Sequence, residues 1–125
     1  AGQITDSVVT PNLITAPDQV SFIVDPDALR EGFYGECSDE DFALAQACLR
    51  PEPVAPCATP LQLTGHNFGR VPRVYIECLR DRAITPDAQR RMYTALPCRK
   101  VLSLNADHSA FFSRPAELVS HLLSL

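Results

Sequence analysis

From Val71 onward the sequence alternates between short β-branched runs and amphipathic stretches, and no other feature restricts the fold as much. Val71-Pro72-Arg73-Val74-Tyr75-Ile76-Glu77-Cys78 reads as a strand in which Pro72 is tolerable only near the start. Thr85 caps a following helix with Pro86 at its first position, and Ala88, Met92, Ala95 and Leu96 supply its buried stripe up to Pro97. Arg99 to Leu104 gives a second strand, and a final helix from about Arg114 to Leu125 puts Leu118, Val119, Leu122 and Leu123 on one face. Strand, helix, strand, helix with short connections specifies a parallel sheet covered by helices, an α/β arrangement. Two parallel strands alone leave edges and faces open, whereas stable parallel sheets are buried on both sides. Further strands are expected from outside these residues.

The preceding half has a different texture. Turn signals at Pro11-Asn12 and Ala16-Pro17-Asp18 precede the extended run Val20-Ser21-Phe22-Ile23-Val24. Asp25 is placed to cap a short helix starting at Pro26 and running to about Phe33. Ser38 and Asp41 have capping-box spacing, and Phe42, Ala45 and Leu49 recur at helical intervals until Pro51, which predicts a helix from about Asp39 to Leu49. Leu44, Ala47 and Cys48 broaden its apolar surface, so cover on more than one side is expected. Pro51, Pro53, Pro56 and Pro60 then argue for a connecting segment without regular helix.

Composition removes several classes of function. Eleven Lys and Arg against 15 Asp and Glu give a net charge of -4, the wrong field for phosphate backbones, so no nucleic-acid partner is expected. With 46% hydrophobic and 21% charged residues the chain reads as soluble and globular. No apolar run approaches the roughly 20 residues that span a bilayer, and AGQITDSVVT lacks signal-peptide regions, so no membrane association and a cytoplasmic location are expected. The five cysteines, Cys37, Cys48, Cys57, Cys78 and Cys98, show no metal-binding spacing and read as buried or free thiols, with a Cys37–Cys57 link left open.

In open α/β sheets the ligand crevice lies beyond the carboxyl ends of the strands. Two polar residues closely follow the two strands there: Asp81, three residues past Cys78, and His108, four past Leu104. An acid beside an imidazole fixes its tautomer and stabilises the imidazolium, as a base serving a serine nucleophile requires. The order acid then histidine matches the late part of the Ser, Asp/Glu, His order of α/β-hydrolases. The bland alternative makes Asp81 a turn acid and His108 a helix-flanking residue. Asp107 reads as a loop residue bonding nearby backbone amides, His66 as a loop histidine, and His121 as lying on the exposed face of the last helix. Gly65-His66-Asn67-Phe68-Gly69 imitates GxSxG, but Val71-Pro72 follows at once in place of a helix, so it reads as a turn before the strand.

The segment from Val71 through the Ala106-Asp107-His108 stretch to the final helix resembles the C-terminal end of the plant methylesterase and hydroxynitrile lyase family, and its bacterial esterase relatives, within the α/β-hydrolases. In that family a YI(x)C-type strand precedes the triad aspartate and an (A/G)DH segment carries the triad histidine, positions matched here by Asp81 and His108. The resemblance implies that residues 1–60 are a cap or lid region and that 61–125 are the C-terminal part of the hydrolase core. It further implies that the nucleophilic serine lies on an N-terminal half of the same hydrolase, cleaved or on a separate chain. Ser103 and Ser109 lie nearest the expected site, and neither sits at an elbow. The implied activity is hydrolysis of a small-molecule carboxylic ester through an acyl-enzyme, with no cofactor and no metal. Ile84 and Phe111 are expected to line the substrate site because they follow the two loops; Phe22, Phe33, Tyr34, Phe42 and Leu49 would wall an apolar pocket in this reading, although simple core packing is the more common role for such residues. The family's lyases carry lysine directly after the histidine, where this chain has Ser109, which favours ester hydrolysis over cyanohydrin cleavage. A non-catalytic binding module on the same fold is the second reading, and a hydroxynitrile lyase the third.

Overall fold

Local chemistry decides where each element of the first half begins. In the computed structural model, which describes residues 6–125, a small antiparallel sheet comes first. The first five residues of the region expected to form a cap lie outside those described. Strand β1 (Leu13–Thr15) pairs with β2 (Ser21–Val24), Ile14 opposite Ile23. The turn between them places Gln19 at φ 59°, and the Asp18 carboxylate accepts from the Val20 N–H at 3.0 Å. Helix α1 (Pro26–Phe33) starts where Asp25 Oδ1 accepts from the Asp27 N–H, with Pro26 in its first turn. Helix α2 (Asp39–Cys48) starts at Ser38, whose hydroxyl accepts from the Asp41 N–H at 3.1 Å and donates to its carboxylate at 2.7 Å. Three acids in its first turn face the positive end of the helix dipole.

The proline-rich stretch departs from expectation. Glu52–Pro53 forms strand β3, paired with β2, and Val54–Ala58 forms helix α3. Pro56 fits because it lies in the first turn, where the N–H that proline lacks would have no helical partner.

The second half holds the parallel pair. Strand β4 (Val74–Cys78) starts three residues later than expected, beyond Pro72, and runs parallel to β5 (Lys100–Leu104) in a register that sets Cys78 opposite Leu104. Helix α4 (Pro86–Ala95) connects them, with Thr85 at its N-cap. The Thr85 hydroxyl makes no capping bond and is buried without a partner among the described residues, so proline and the Thr85 carbonyl, which accepts from the Gln89 N–H, define the start instead. A short helix α5 (Ala110–Ser113), which was not expected, comes next, and helix α6 (Pro115–Leu123) matches the final helix expected from about Arg114, the two separated at Arg114 before Pro115.

The core is small. Leu104, Ala106 and Ala110 are buried, with Ile76, Cys78 and Leu118 packed against them. The buried stripe expected on α4 is only partly covered, Ala88 being buried but Met92 44% exposed, and the apolar face of α6 is open at Leu122, 53% exposed, and Leu123, 84%. The two sheets are separate, and the parallel one has only two strands among the described residues. No helix among the described residues is long and apolar enough to cross a membrane.

Candidate functional site

The pairing of β4 with β5 continues past the strand ends and carries two loops side by side. Leu79 N–H donates to the Leu104 carbonyl and Arg80 N–H to the Ala106 carbonyl, each at 2.9 Å. Asp81 and His108, 27 residues apart, therefore emerge at the same edge, and His108 Nδ1 lies 3.0 Å from Asp81 Oδ2. The other carboxylate oxygen, Oδ1, accepts from the N–H groups of Ala83 at 2.9 Å and Ile84 at 2.8 Å. Asp81 is buried and its rotamer is held from both sides.

Gln89 closes the loop from below. Its Oε1 accepts from the Cys78 N–H at 2.9 Å, and its Nε2 donates to the carbonyls of Cys78 and Ile84 at 3.0 and 2.7 Å. A buried glutamine on α4 thus joins the last strand residue to the end of the Asp81 turn. It interrupts the apolar stripe next to Ala88, a polar residue at a core-facing position that periodicity alone flags without assigning a partner.

The His108 ring is half-buried, with the Phe33 ring edge-on at a centroid separation of 5.0 Å. Together with Ser109 and Phe111 it borders a cavity of about 490 Å³ walled by Phe22, Leu29, Phe33, Tyr34 and Leu49. That volume falls within the roughly 300–1,000 Å³ range of small-molecule sites. Phe111 lies on this wall, whereas Ile84 does not; its backbone N–H is bonded to Asp81. Phe42 packs instead on Tyr34, with the Arg30 guanidinium 5.0 Å from its ring centre.

Several side chains fall differently from their sequence reading. Asp107 does bond a backbone amide, but that of Glu36, 71 residues away, at 2.9 Å. His121 is partly covered and its Nε2 lies 3.1 Å from the Ser103 carbonyl, because α6 folds back over β5. Ser103 donates to the buried Glu77 at 2.8 Å, and Ser109 is buried at the start of α5. Gly65 to Gly69 form an exposed turn, with Phe68 beginning a single 3-10 turn. No cluster of metal-ligating side chains occurs among the described residues, and all five cysteines are free, Cys37 buried and Cys57 exposed. Burial, reinforced by Asp107, pushes the Cys37 thiol up to about 12, and burial beside Asp81 and Asp107 pushes Cys78 up to about 11.

Solved structures similar in fold include that of polyneuridine aldehyde esterase, which superposes with a TM-score of 0.78 at 26% identity over 90% of this chain. The chain has the fold of the C-terminal half of an α/β-hydrolase. Sequence agrees: methylesterase 18 of Arabidopsis thaliana is 36% identical over 105 residues, 82% of this chain, and methylesterase 7 of the same plant is 31% identical over 127 residues, 98% of it. No protein-family model matches. This α/β-hydrolase segment spans 40% and 49% of those two relatives and 46% of the solved chain, less than half the length of each.

Proposed function

We propose that this chain supplies the acid and the base of a serine carboxylesterase acting on small carboxylic esters, methyl esters among them. The nucleophilic serine and its oxyanion-hole amides come from a segment outside these residues. The carrying observation is the 3.0 Å contact between buried Asp81 and His108, whose ring borders an apolar cavity. Similarity to methylesterases and to an esterase of known structure supports the ester as substrate class.

In this reading, His108 Nε2 takes the proton from the serine hydroxyl as the serine oxygen attacks the ester carbonyl. The same nitrogen then protonates the departing alcohol, leaving an acyl-enzyme. Water, deprotonated by His108 in turn, releases the carboxylic acid. Asp81 keeps the Nδ1 proton in place and offsets the positive charge on the ring at both stages, without itself taking the proton. The apolar wall around Phe22, Leu29 and Phe111 suits an uncharged acyl or alcohol group.

The test is hydrolysis of methyl and aryl esters by the complete protein and by its His108→Ala variant. Turnover that falls to near background in the variant supports the reading. Equal turnover in both excludes His108 as the base, and no turnover in either favours the non-catalytic binding module.

A further inference from the structure

The residues immediately before Asp81 and His108 both reach the same distant turn, Arg80 through Glu36 and Asp107 through Glu36 and Cys37. Arg80 holds the Glu36 carboxylate through both oxygens at 3.1 Å and reaches Asn105 on the neighbouring loop at 2.9 Å. Asp107, buried at 4% exposure, accepts from the Glu36 N–H at 2.9 Å and from the Cys37 thiol at 3.5 Å. Its second oxygen accepts from the Ser113 hydroxyl at 2.7 Å, at the end of α5. Arg114 completes the cluster, 3.4 Å from Glu36. Glu36, Arg80, Asp81 and Asp107 also line one common groove.

We propose that Glu36 and Asp107 form a positioning clamp, in which the turn between α1 and α2 locks the Asp81 and His108 loops in fixed relation. The proposal rests on the esterase reading for its kinetic consequence. A buried carboxylate with three donors has little freedom, so the backbone at residue 107 is pinned and the adjacent imidazole with it. The pinned turn follows Phe33, whose ring sits against His108, so the same joint sets the aromatic wall and the imidazole together. Cys37 serves as a neutral donor here, consistent with a thiol held protonated by burial and by Asp107.

The experiment compares Asp107→Asn and Glu36→Gln with wild type in the complete protein. Turnover is normalised to sites titrated by a fluorophosphonate, and the downfield Nδ1 proton resonance of His108 is recorded in parallel. For Asp107→Asn, kcat per titrated site is expected to fall on the order of 10- to 100-fold with KM unchanged, as for other lost orienting partners. The resonance should broaden or disappear. Glu36→Gln, which keeps its backbone bond to Asp107, should lose less. If Asp107→Asn does not fold, Ser113→Ala removes one bond to Asp107 and carries the same comparison with a smaller loss. Wild-type turnover per titrated site with an intact resonance overturns the clamp, even if fewer sites survive. A wild type that takes no label sinks the esterase reading instead, and the resonance alone then decides the clamp.

Discussion

His108 Nδ1 lies 3.0 Å from Asp81 Oδ2 while Asp81 Oδ1 is committed to two backbone N–H groups. This division of labour makes Asp81→Asn a sharp perturbation. The asparagine oxygen must stay with Ala83 and Ile84, so its NH2 group points at His108 and forces Nδ1 to accept. The ring then carries its proton on Nε2 and cannot act as base. On the esterase reading, turnover of the complete protein should fall on the order of 10⁴-fold with the fold intact, measured by ester hydrolysis beside circular dichroism.

Gln89→Leu removes all three bonds that tie Cys78 to the end of the Asp81 turn. Each buried backbone group left unpaired costs about 1–3 kcal/mol, so urea denaturation should show a loss of at least that size. A stability unchanged from wild type would mean that water replaces the glutamine.

Leu104 is the largest fully buried side chain among those described and joins β5 to the turn that presents His108. Truncation to alanine should destabilise the protein by about 2–5 kcal/mol, read as a lowered denaturation midpoint.

The parallel pair, its connecting helix and the meeting of Asp81 with His108 were all legible because strand period, proline punctuation and the carboxyl-edge rule are local signals with one geometric outcome. The cap at Ser38 was legible for the same reason. Helix α3 was not, since the prolines that argue against a helix are harmless in its first turn. Nor was the bond from Asp107 to Glu36, because no local pattern announces a partner 71 residues away. The expected burial of Met92 also departs from the structure: periodicity says which face is apolar, while cover depends on what packs against it.

Cys37 gives a pH dependence with a definite sign. Its thiol is raised from 9.0 to about 12 in the folded chain, so above pH 9 the unfolded state releases a proton that the folded state keeps. Stability contributed by this site therefore falls as pH rises from about 9 towards 12. Denaturation of wild type and Cys37→Ser at pH 8 and pH 10.5 should show a steeper loss in the wild type. Parallel losses would contradict it. Alkylation at pH 8 should modify the exposed Cys48 and Cys57 and spare Cys37 until the chain unfolds.

The central claim is that Asp81 and His108 serve a serine that these residues do not contain. Its most direct test is fluorophosphonate labelling of the purified complete protein, followed by denaturing mass measurement and mapping of the labelled peptide. The expected result is one labelled serine outside residues 1–125, with labelling lost in His108→Ala. A label on a serine within this chain, such as Ser103 or Ser109, or labelling that persists without His108, would contradict it.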